Sequence, residues 1–331
     1  MLARFAGRQK MRGRQQRPLM RMLPPPGGGV FGAPAVKLEP TPLVSATGVP
    51  CLFPRRINAN GRVLFRIVAP ITKIFRATMR IDLNSDVGEG SSEGAAGQDS
   101  ALMSHITSAN VACGFHAGDP KLMRATVILA REYGVAVGAH PGFPDSDGFG
   151  RRELQFSPSD VEDFVAFQVG ALAAIAAAEG VRLQHIKPHG ALFNMAVRSA
   201  ALADAIARAA AVIDRSLILV GLPGSEIVAA GERAGLRTAS EGYVDRAYRS
   251  DGTLVPRERA GAVIDDPDRV VPRAVRMARD QTVESDDGRC VPLTIDTLCV
   301  HGDTSGAADI AARIRVAFDH AGVEVKAVGQ V

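Results

Sequence analysis

The stretch Pro120–Pro141, PKLMRATVILAREYGVAVGAHP, contains the pattern that decides the fold. Its first part, Pro120–Tyr133, predicts a helix with proline in the first turn, and Gly134 follows the last turn. The apolar run Val135–Ala139 then predicts a short strand, and His140 comes directly after it. Helix, glycine, buried strand and polar residue form the repeating unit of a parallel α/β sheet.

The same unit recurs from Met79 to the C-terminus. The other predicted helices that end at a glycine are Ser159–Glu179, Ser225–Ala234 and Ala307–Ala321. The other predicted strands are Arg80–Leu83, Ser108–Cys113, Leu183–Lys187, Leu217–Val220, Thr238–Glu241, Thr297–Val300 and Val323–Ala327. Helices are expected to fill the remaining gaps. We therefore predict one α/β domain over residues 79–331, a length within the range of a single α/β barrel.

The segment before Met79 has a different composition. Residues 1–78 hold 14 basic residues and one acidic residue, for a net charge of 14 − 1 = +13, which leaves 25 − 34 = −9 for residues 79–331. The basic pI therefore belongs to the leading segment and predicts no nucleic-acid partner. We interpret residues 1–78 as a disordered, basic, Pro/Gly-rich extension that arises from a start codon placed too early. An organelle transit peptide is the alternative, although Ser45 is the only serine there.

Cysteine usage and hydropathy indicate the compartment. Cys51, Cys113, Cys290 and Cys299 form no CxxC pair, which argues against a disulfide framework and a thiolate zinc site. The longest nearly pure apolar stretch, Val169–Ala178, is about half the length of a membrane-spanning helix. We predict a cytoplasmic protein with no membrane partner.

Polar side chains cluster where the predicted strands end. They are Asp82, Asn84, Asp86 and Glu89 on or after the first strand, Asn110 and His116 on or after the second, His140 after the third, Lys187 and His189 at the fourth, Asp245 and Arg246 after the sixth, and His301 after the seventh. Ligands of parallel α/β folds bind beyond the carboxyl ends of the strands. These groups are expected to line one bowl.

The acidic and histidine motifs suit acid–base or metal chemistry. Asp82 and Asp86 alternate along the first strand, although a turn rich in Asx caps is the alternative interpretation. His116, His140 and His189 each lie within two residues of Gly or Pro, where each could act as a neutral ligand or a proton carrier. Asp86, or in its place Asp82, could form an Asp-His-His metal site with His116 and His140. His185, inside its strand, is expected to be packed.

Two cationic groups are candidates for anion binding. Lys187 is a point charge suited to phosphate or carboxylate, and Arg246 offers a planar fork beside Asp245. A surface ion pair of small energetic value is the alternative for Arg246. The sequence contains no P-loop motif and no G-x-S-x-G elbow, and the spacing of Gly88, Gly90 and Gly94 does not fit a dinucleotide fingerprint.

Taken in order, the motifs resemble those of the LamB/YcsF family, described as the A subunits of prokaryotic ATP-dependent 5-oxoprolinases. The matching stretches are IDLNSDVGEG (81–90), SANVACGFHAGDP (108–120), GVAVGAHPGFPD (134–145), FGRR (149–152), HIKPHGALFN (185–194), LILVGLPGSE (217–226), YVDRAYRSDGTLVPR (243–257) and CVHGD (299–303). Val244 stands where the family usually has Ala. The resemblance implies an irregular (β/α) TIM-like barrel of about seven parallel strands, similar to that of polysaccharide deacetylases.

The resemblance also implies an activity and partners. The reaction would be the hydrolytic opening of the lactam of 5-oxo-L-proline to L-glutamate, driven by ATP with Mg²⁺, in a complex with subunits B and C. The catalytic candidates are Asp82, Asp86, His116, His140 and His189. The candidates for binding substrate or phosphate are Asn84, Glu89, Asn110, Lys187, Asp245, Arg246 and His301.

Two other functions remain open from the sequence. A deacetylase or amidohydrolase could act alone through a bound transition metal. A non-catalytic subunit could present a lactam or sugar to its partners. We expect replacement of Asp86 or His116 to reduce turnover in an enzyme, and to weaken binding alone in a presenting subunit.

Overall fold

The structure is a computed structural model that describes residues 79–90, 99–302 and 306–330. The extension 1–78 lies outside the described residues. Its disorder, its origin in an early start codon and the division of the chain at Met79 therefore stay predictions.

The described residues contain ten strands. They are β1 Met79–Val87, β2 Ser108–Ala112, β3 Ala136–His140, β4 His185–Ile186, β5 Ile218–Gly221, β6 Arg237–Tyr243, β7 Thr282–Glu284, β8 Cys290–Pro292, β9 Thr297–Cys299 and β10 Val323–Val325. Strands β1 to β6 pair in chain order, all parallel, and β9 pairs with both β6 and β1. These seven strands form a closed parallel barrel. β10 extends the sheet beside the start of β1, and β7 with β8 forms a separate antiparallel hairpin.

Seven helices follow or separate the strands in the described ranges, in addition to the helical residues 99–103. They are α1 Pro120–Tyr133, α2 Pro158–Ala178, α3 Gly190–Ala196, α4 Ala200–Ile213, α5 Glu226–Arg233, α6 Pro267–Asp280 and α7 Ala307–Ala321. Local sequence explains their ends. Asp119 accepts hydrogen bonds from the first backbone amides of α1, and Gly134 ends this helix with φ +69°. Ser157 and Asp160 form a capping box at the start of α2.

The fold prediction is confirmed, with differences in detail. The bounds of α1 and α7 agree with the prediction, and each predicted strand is present within a few residues. β1 is longer than predicted and continues to Val87, so Asp82 and Asp86 lie inside a strand. The interpretation of this segment as a turn rich in Asx caps is wrong, because its backbone pairs in register with β2 and β9.

The apolar core lies between the barrel and the helices. Leu83 and Val111 of the barrel and Val165 and Ile206 of the helices belong to one buried cluster. Around Asn84 the barrel interior is polar, because this side chain, on the opposite face of β1, donates hydrogen bonds to Glu241 and Thr297. The site is therefore built inside the barrel, and the stability of the fold comes from its outer layer.

By length and composition, α2 could cross a membrane, which also holds for core helices of soluble proteins. Its Val161, Val165, Val169 and Leu172 are buried at helical spacing. This buried stripe is what a helix covering the barrel requires. The cytoplasmic location stays a prediction.

Candidate active site

A cavity of about 530 Å³ opens at the carboxyl ends of the barrel strands. Asp86 at the end of β1, His140 at the end of β3 and Tyr243 at the end of β6 line it, as do Lys187 and His301 just past β4 and β9. This volume lies within the usual range for small-molecule sites, about 300–1,000 Å³.

The structure separates the predicted site residues into two groups. Those that line the cavity are Asp86, Glu89, His140, Lys187, His189, Arg246 and His301. Those that are buried outside its lining are Asp82, Asn84, Asn110, His116 and Asp245. The roles assigned to both groups stay predictions.

Asp82 lies deep in the barrel and faces hydroxyl groups. Its carboxylate accepts hydrogen bonds from Thr107 at 2.6 Å and Ser108 at 2.8 Å, and also from Thr297. Burial raises the pKa of Asp82 to about 6, and the charge of Glu241 acts in the same direction. The three hydrogen bonds lower the pKa and offset only part of this rise. These contacts link β1 to β2 and β9, so Asp82 helps to hold the three strands together.

Asp86 is the carboxylate at the floor of the cavity. Its Oδ1 accepts hydrogen bonds of 2.8 Å from both Lys187 Nζ and Asn110 Nδ2, and its Oδ2 lies 3.4 Å from His140 Nε2. Burial opposes ionisation, but the positive charges of His140 and Lys187 outweigh burial and hold the pKa of Asp86 well below its usual range. Asp86 is therefore an anion at neutral pH.

Lys187 is buried among acidic groups. Its Nζ lies 2.8 Å from Asp86 and 3.0 Å from Glu241, and donates to Cys299 Sγ at 3.1 Å. Burial alone would lower the pKa of Lys187, but the charge of Asp86 and its other neighbours raises it well above the usual value. Two carboxylates already neutralise this ammonium group, which leaves less charge for an external phosphate than the sequence suggests.

Two amides carry this network across the barrel. Asn84 donates to Glu241 at 3.0 Å, and its Oδ1 accepts from Asn110 Nδ2 at 2.8 Å. His185, expected to be packed, is buried and its Nε2 lies 2.7 Å from Asn110 Oδ1. Because this amide oxygen only accepts, His185 donates from Nε2. Asn110 thus holds Asp86 directly, and Asn84 acts on it only through Asn110 and Lys187.

Three histidines and Glu89 meet beside Asp86. Glu89 Oε1 lies 3.2 Å from His116 Nε2, 3.4 Å from His189 Nδ1 and 3.8 Å from His140 Nε2. His189 Nδ1 is 3.0 Å from His140 Nε2, and the rings of His116 and His189 stack with centroids 3.8 Å apart. The sequence placed these histidines after three different strands, and the side-by-side pairing of β2, β3 and β4 brings them into contact.

The two stacked rings are neutral. Burial lowers the pKa of His116, and burial together with the neighbouring His116 lowers that of His189 well below the usual value. Burial also opposes the charge on His140, but Asp86 raises its pKa above the usual value. The loop around Gly150 packs closely against His116, because a Cβ added at Gly150 would lie 2.7 Å from His116 Cβ.

Asp245 and His301 form a pair on the other side of the cavity. His301 Nδ1 lies 2.7 Å from Asp245 Oδ2, and the His301 ring stacks on Tyr243 with centroids 5.4 Å apart. Asp245 is buried and fixes the orientation of the imidazole. Of these two predicted site residues, His301 alone lines the cavity.

A long connection between β6 and α6, residues 244–266, forms the outer wall of the cavity; we call it the arm. Arg246 lines the cavity, but its guanidinium donates to the backbone oxygens of Val255 at 2.6 Å and Ala262 at 3.4 Å. Arg273 donates in turn to Arg246 O at 2.6 Å. The interpretation of Arg246 as part of a surface ion pair is wrong, because the side chain is buried and holds the arm together.

Several cavity and network residues were missing from the sequence prediction. They are Glu241, Tyr243, Cys299 and the cavity-lining arginines Arg151, Arg198, Arg249 and Arg257. A charged residue within a buried strand was the available signal for Glu241. No sequence signal marked the arginines, because they lie in loops whose path depends on the whole barrel.

Comparison of the chain with known proteins identifies its family. The family model of LamB/YcsF matches residues 81–331. The chain belongs to the LamB/YcsF family. The resemblance noted from the motifs is thereby confirmed over three quarters of the chain.

Relatives within the LamB/YcsF family are similar over nearly their whole length. The A subunit of 5-oxoprolinase from Bacillus subtilis is 49% identical over 251 residues, covering 76% of this chain and 98% of that protein. The corresponding A subunit from Symbiobacterium thermophilum is 52% identical over 250 residues, covering 76% and 96%. The crystal structure of a lactam utilization protein from Thermus thermophilus is 46% identical with a TM-score of 0.71, covering 75% of this chain and all of that one.

Proposed function

We propose that this chain is the A subunit of a 5-oxoprolinase and opens the lactam ring of 5-oxo-L-proline to L-glutamate. The observation that carries the proposal is the near 50% identity to proteins named as the A subunit of 5-oxoprolinase, over 96–98% of their lengths. The cavity at the carboxyl ends of the strands, with an ionised Asp86 on its floor, is consistent with such a reaction.

The chemistry needs an activated amide and a positioned water. A lactam amide is a poor electrophile, and transfer of the γ-phosphoryl group of ATP to its oxygen would activate the ring carbon for attack by water. The C–N bond of the adduct would then break, with a proton passing to the ring nitrogen, to give an acyl phosphate, and a second water would release glutamate and phosphate. We therefore propose ATP with Mg²⁺ as co-substrate. Asp86 is proposed to orient and deprotonate the attacking water, because its carboxylate faces the cavity and Lys187 holds it in place.

The cavity wall carries positive charges that suit an anionic ligand. Arg151, Arg198 and Arg249 line it, and their charges suit the carboxylate of 5-oxoproline or a phosphate group. The buried Lys187 contributes indirectly, by keeping Asp86 ionised. We propose that subunits B and C complete the enzyme, in keeping with the subunit naming of the relatives.

The proposal is tested by reconstitution. Purified chain, subunits B and C, 5-oxoproline and Mg·ATP should release glutamate and phosphate together, and omission of ATP or of this chain should stop glutamate formation. Asp86→Asn should lower kcat at least about 100-fold, the lower range for loss of an acid–base group. Asp163→Asn, on an exposed face of α2, is the matched control and should keep full activity. Absence of coupled release in the complete mixture would refute the proposal.

A second candidate function is favoured by the cluster of three histidines and Glu89. Such a cluster suits a metal-dependent amidohydrolase that acts alone. The chain by itself, without ATP or subunits B and C, should then hydrolyse cyclic or acetylated amides. If only the complete mixture turns over, this candidate is excluded.

A further inference from the structure

The hydrogen bonds around His140 and His189 fix which ring nitrogens carry hydrogen. His140 Nδ1 lies 2.6 Å from Lys187 O, and His189 Nε2 lies 2.8 Å from Phe149 O. A backbone carbonyl oxygen only accepts, so both of these nitrogens must be donors. When both rings are neutral, His140 Nε2 and His189 Nδ1 therefore carry lone pairs; when His140 is protonated, its Nε2 carries the proton and can donate it to His189 Nδ1.

These two lone pairs face each other. The nitrogens are 3.0 Å apart, and Glu89 Oε1, another acceptor, lies 3.4 Å from His189 Nδ1 and 3.8 Å from His140 Nε2. Acceptors this close together repel unless a cation lies between them, and Asp86 Oδ2, 3.4 Å from His140 Nε2, is a further acceptor beside the group. The cation is either a proton shared by the two rings or a metal ion.

The spacing of the acceptors fits a metal ion. Zinc–nitrogen and zinc–oxygen bonds of about 2.0–2.1 Å in a tetrahedron separate the ligand atoms by about 3.3 Å. The separations here run from 3.0 to 3.8 Å, and His116 Nε2 joins the group at 3.2 Å from Glu89 Oε1. All four ligand atoms lie within 4.8 Å of one another.

The surroundings also match those of metal-binding histidines. Such residues commonly donate their second ring N–H to a backbone carbonyl or carboxylate, which fixes the tautomer. His140 and His189 both do so, through Lys187 O and Phe149 O. A second group in the described residues, Asp86 with Cys299 and His301, is less suitable, because Lys187 Nζ already occupies a cationic position 2.8 Å from Asp86 and 3.1 Å from Cys299.

We propose that His116 Nε2, His140 Nε2, His189 Nδ1 and Glu89 Oε1 form a binding site for a divalent transition-metal ion of the zinc class. Imidazole nitrogens and one carboxylate are ligands that zinc accepts readily. Relative to the Asp86, His116 and His140 set predicted from the sequence, Glu89 and His189 replace Asp86. Glu89, His140 and His189 line the cavity, so the ion faces the site. The proposal depends on this geometry alone and stands whether or not the chain opens a lactam.

Metal content and titration test the site directly. Full-length protein without a histidine tag should carry about one zinc per chain after growth in zinc-supplemented medium, by elemental mass spectrometry. After chelation, calorimetric titration with zinc should show one tight site and release of protons, because metal and proton compete for the same lone pairs. Failure of the stripped protein to bind zinc at micromolar concentration would mean that a shared proton, and no metal, joins the histidines.

Variants identify the ligands. Glu89→Gln and His189→Gln should each weaken zinc binding at least tenfold, since even residues behind a ligand commonly contribute that much. Glu132→Gln and His320→Gln, at exposed positions, are the matched controls and should bind as the unaltered protein does. Glu89→Gln leaves the three rings in place, so it remains informative if His189→Gln does not fold. Unchanged zinc binding in both ligand variants would place the ion elsewhere and overturn the proposal.

Discussion

Asp82 shows how a single buried carboxyl group makes stability depend on pH. Burial raises its pKa from 3.8 to about 6, so the folded chain holds this proton more tightly than the unfolded chain. Its contribution to stability is complete below about pH 4 and is lost as the pH rises through about 6. The shift of about two pKa units corresponds to about 3 kcal/mol.

Asp82→Asn removes this titration while keeping a neutral group of the same shape. The free energy of unfolding of the unaltered protein, minus that of the variant, should fall by about 3 kcal/mol between about pH 4 and pH 7. Urea unfolding at a series of pH values measures this difference. A difference that stays constant with pH would show that Asp82 titrates alike in the folded and unfolded chains.

Lys187 stabilises the charges inside the barrel. Lys187→Met leaves Asp86 and Glu241 buried without their cation, and loss of one partner of a buried ion pair costs about 3–5 kcal/mol. Urea unfolding should show a loss of that size, whereas Lys121→Met at an exposed position should change little. Adding Glu241→Gln to Lys187→Met should restore part of the loss. A fully additive double variant would disprove coupling between the two residues.

At the scale of elements, the sequence predicted what local chemistry determines. The glycine after α1 and the apolar run of β3 are local signals, and both elements are present. The hairpin of β7 and β8 and the pairing within the arm were not predicted. Both lie in polar segments without regular apolar periodicity. Their pairing depends on tertiary contacts, such as the 2.8 Å hydrogen bond that Tyr243 N donates to Tyr248 OH in the arm.

The candidate site was predictable in its composition and not in its contacts. The sequence placed His116, His140 and His189 after successive strands and indicated one bowl. It could not show that Glu241 neutralises Lys187, because this contact exists only once β9 closes the barrel between β6 and β1. Pairings of this kind depend on the register of distant strands.

The arm behaves as one element held by Arg246. Arg246→Met removes the hydrogen bonds to Val255 O and Ala262 O, and a hydrogen bond to a charged group contributes about 1.5–3 kcal/mol. Amide hydrogen exchange at Ala247 and Val255 should accelerate about 10- to 100-fold.

Arg249→Met is the matched control, because Arg249 lies on the same arm and lines the cavity. It should leave exchange at Ala247 and Val255 unchanged. Hydrogen exchange followed by mass spectrometry on peptides of residues 244–266 resolves the two variants. Equal protection in both would show that the backbone bonds from Ala247 to Ala262 and from Val255 to Ala247 suffice to hold the arm.

The charge of the whole molecule is divided unevenly between two parts of the chain. Residues 1–78 carry +13 and residues 79–331 carry −9, which together give +4 and a pI of about 9.0. The family match covers residues 81–331 and no part of the basic segment. The basic charge is thus not a property of the barrel, which belongs to the part of the chain with a net charge of −9.

A shortened chain beginning at Met79 separates the two parts. It should unfold at the same temperature as the full chain and keep full activity with subunits B and C, because the barrel and the cavity lining found among the described residues lie from Met79 onward. With a net charge of −9 it should focus at an acidic pH and bind an anion exchanger at about pH 7. Isoelectric focusing, thermal unfolding and the coupled assay measure these properties on one preparation. A shortened chain that folds with the same unfolding temperature but loses activity would assign residues 1–78 a part in catalysis or assembly.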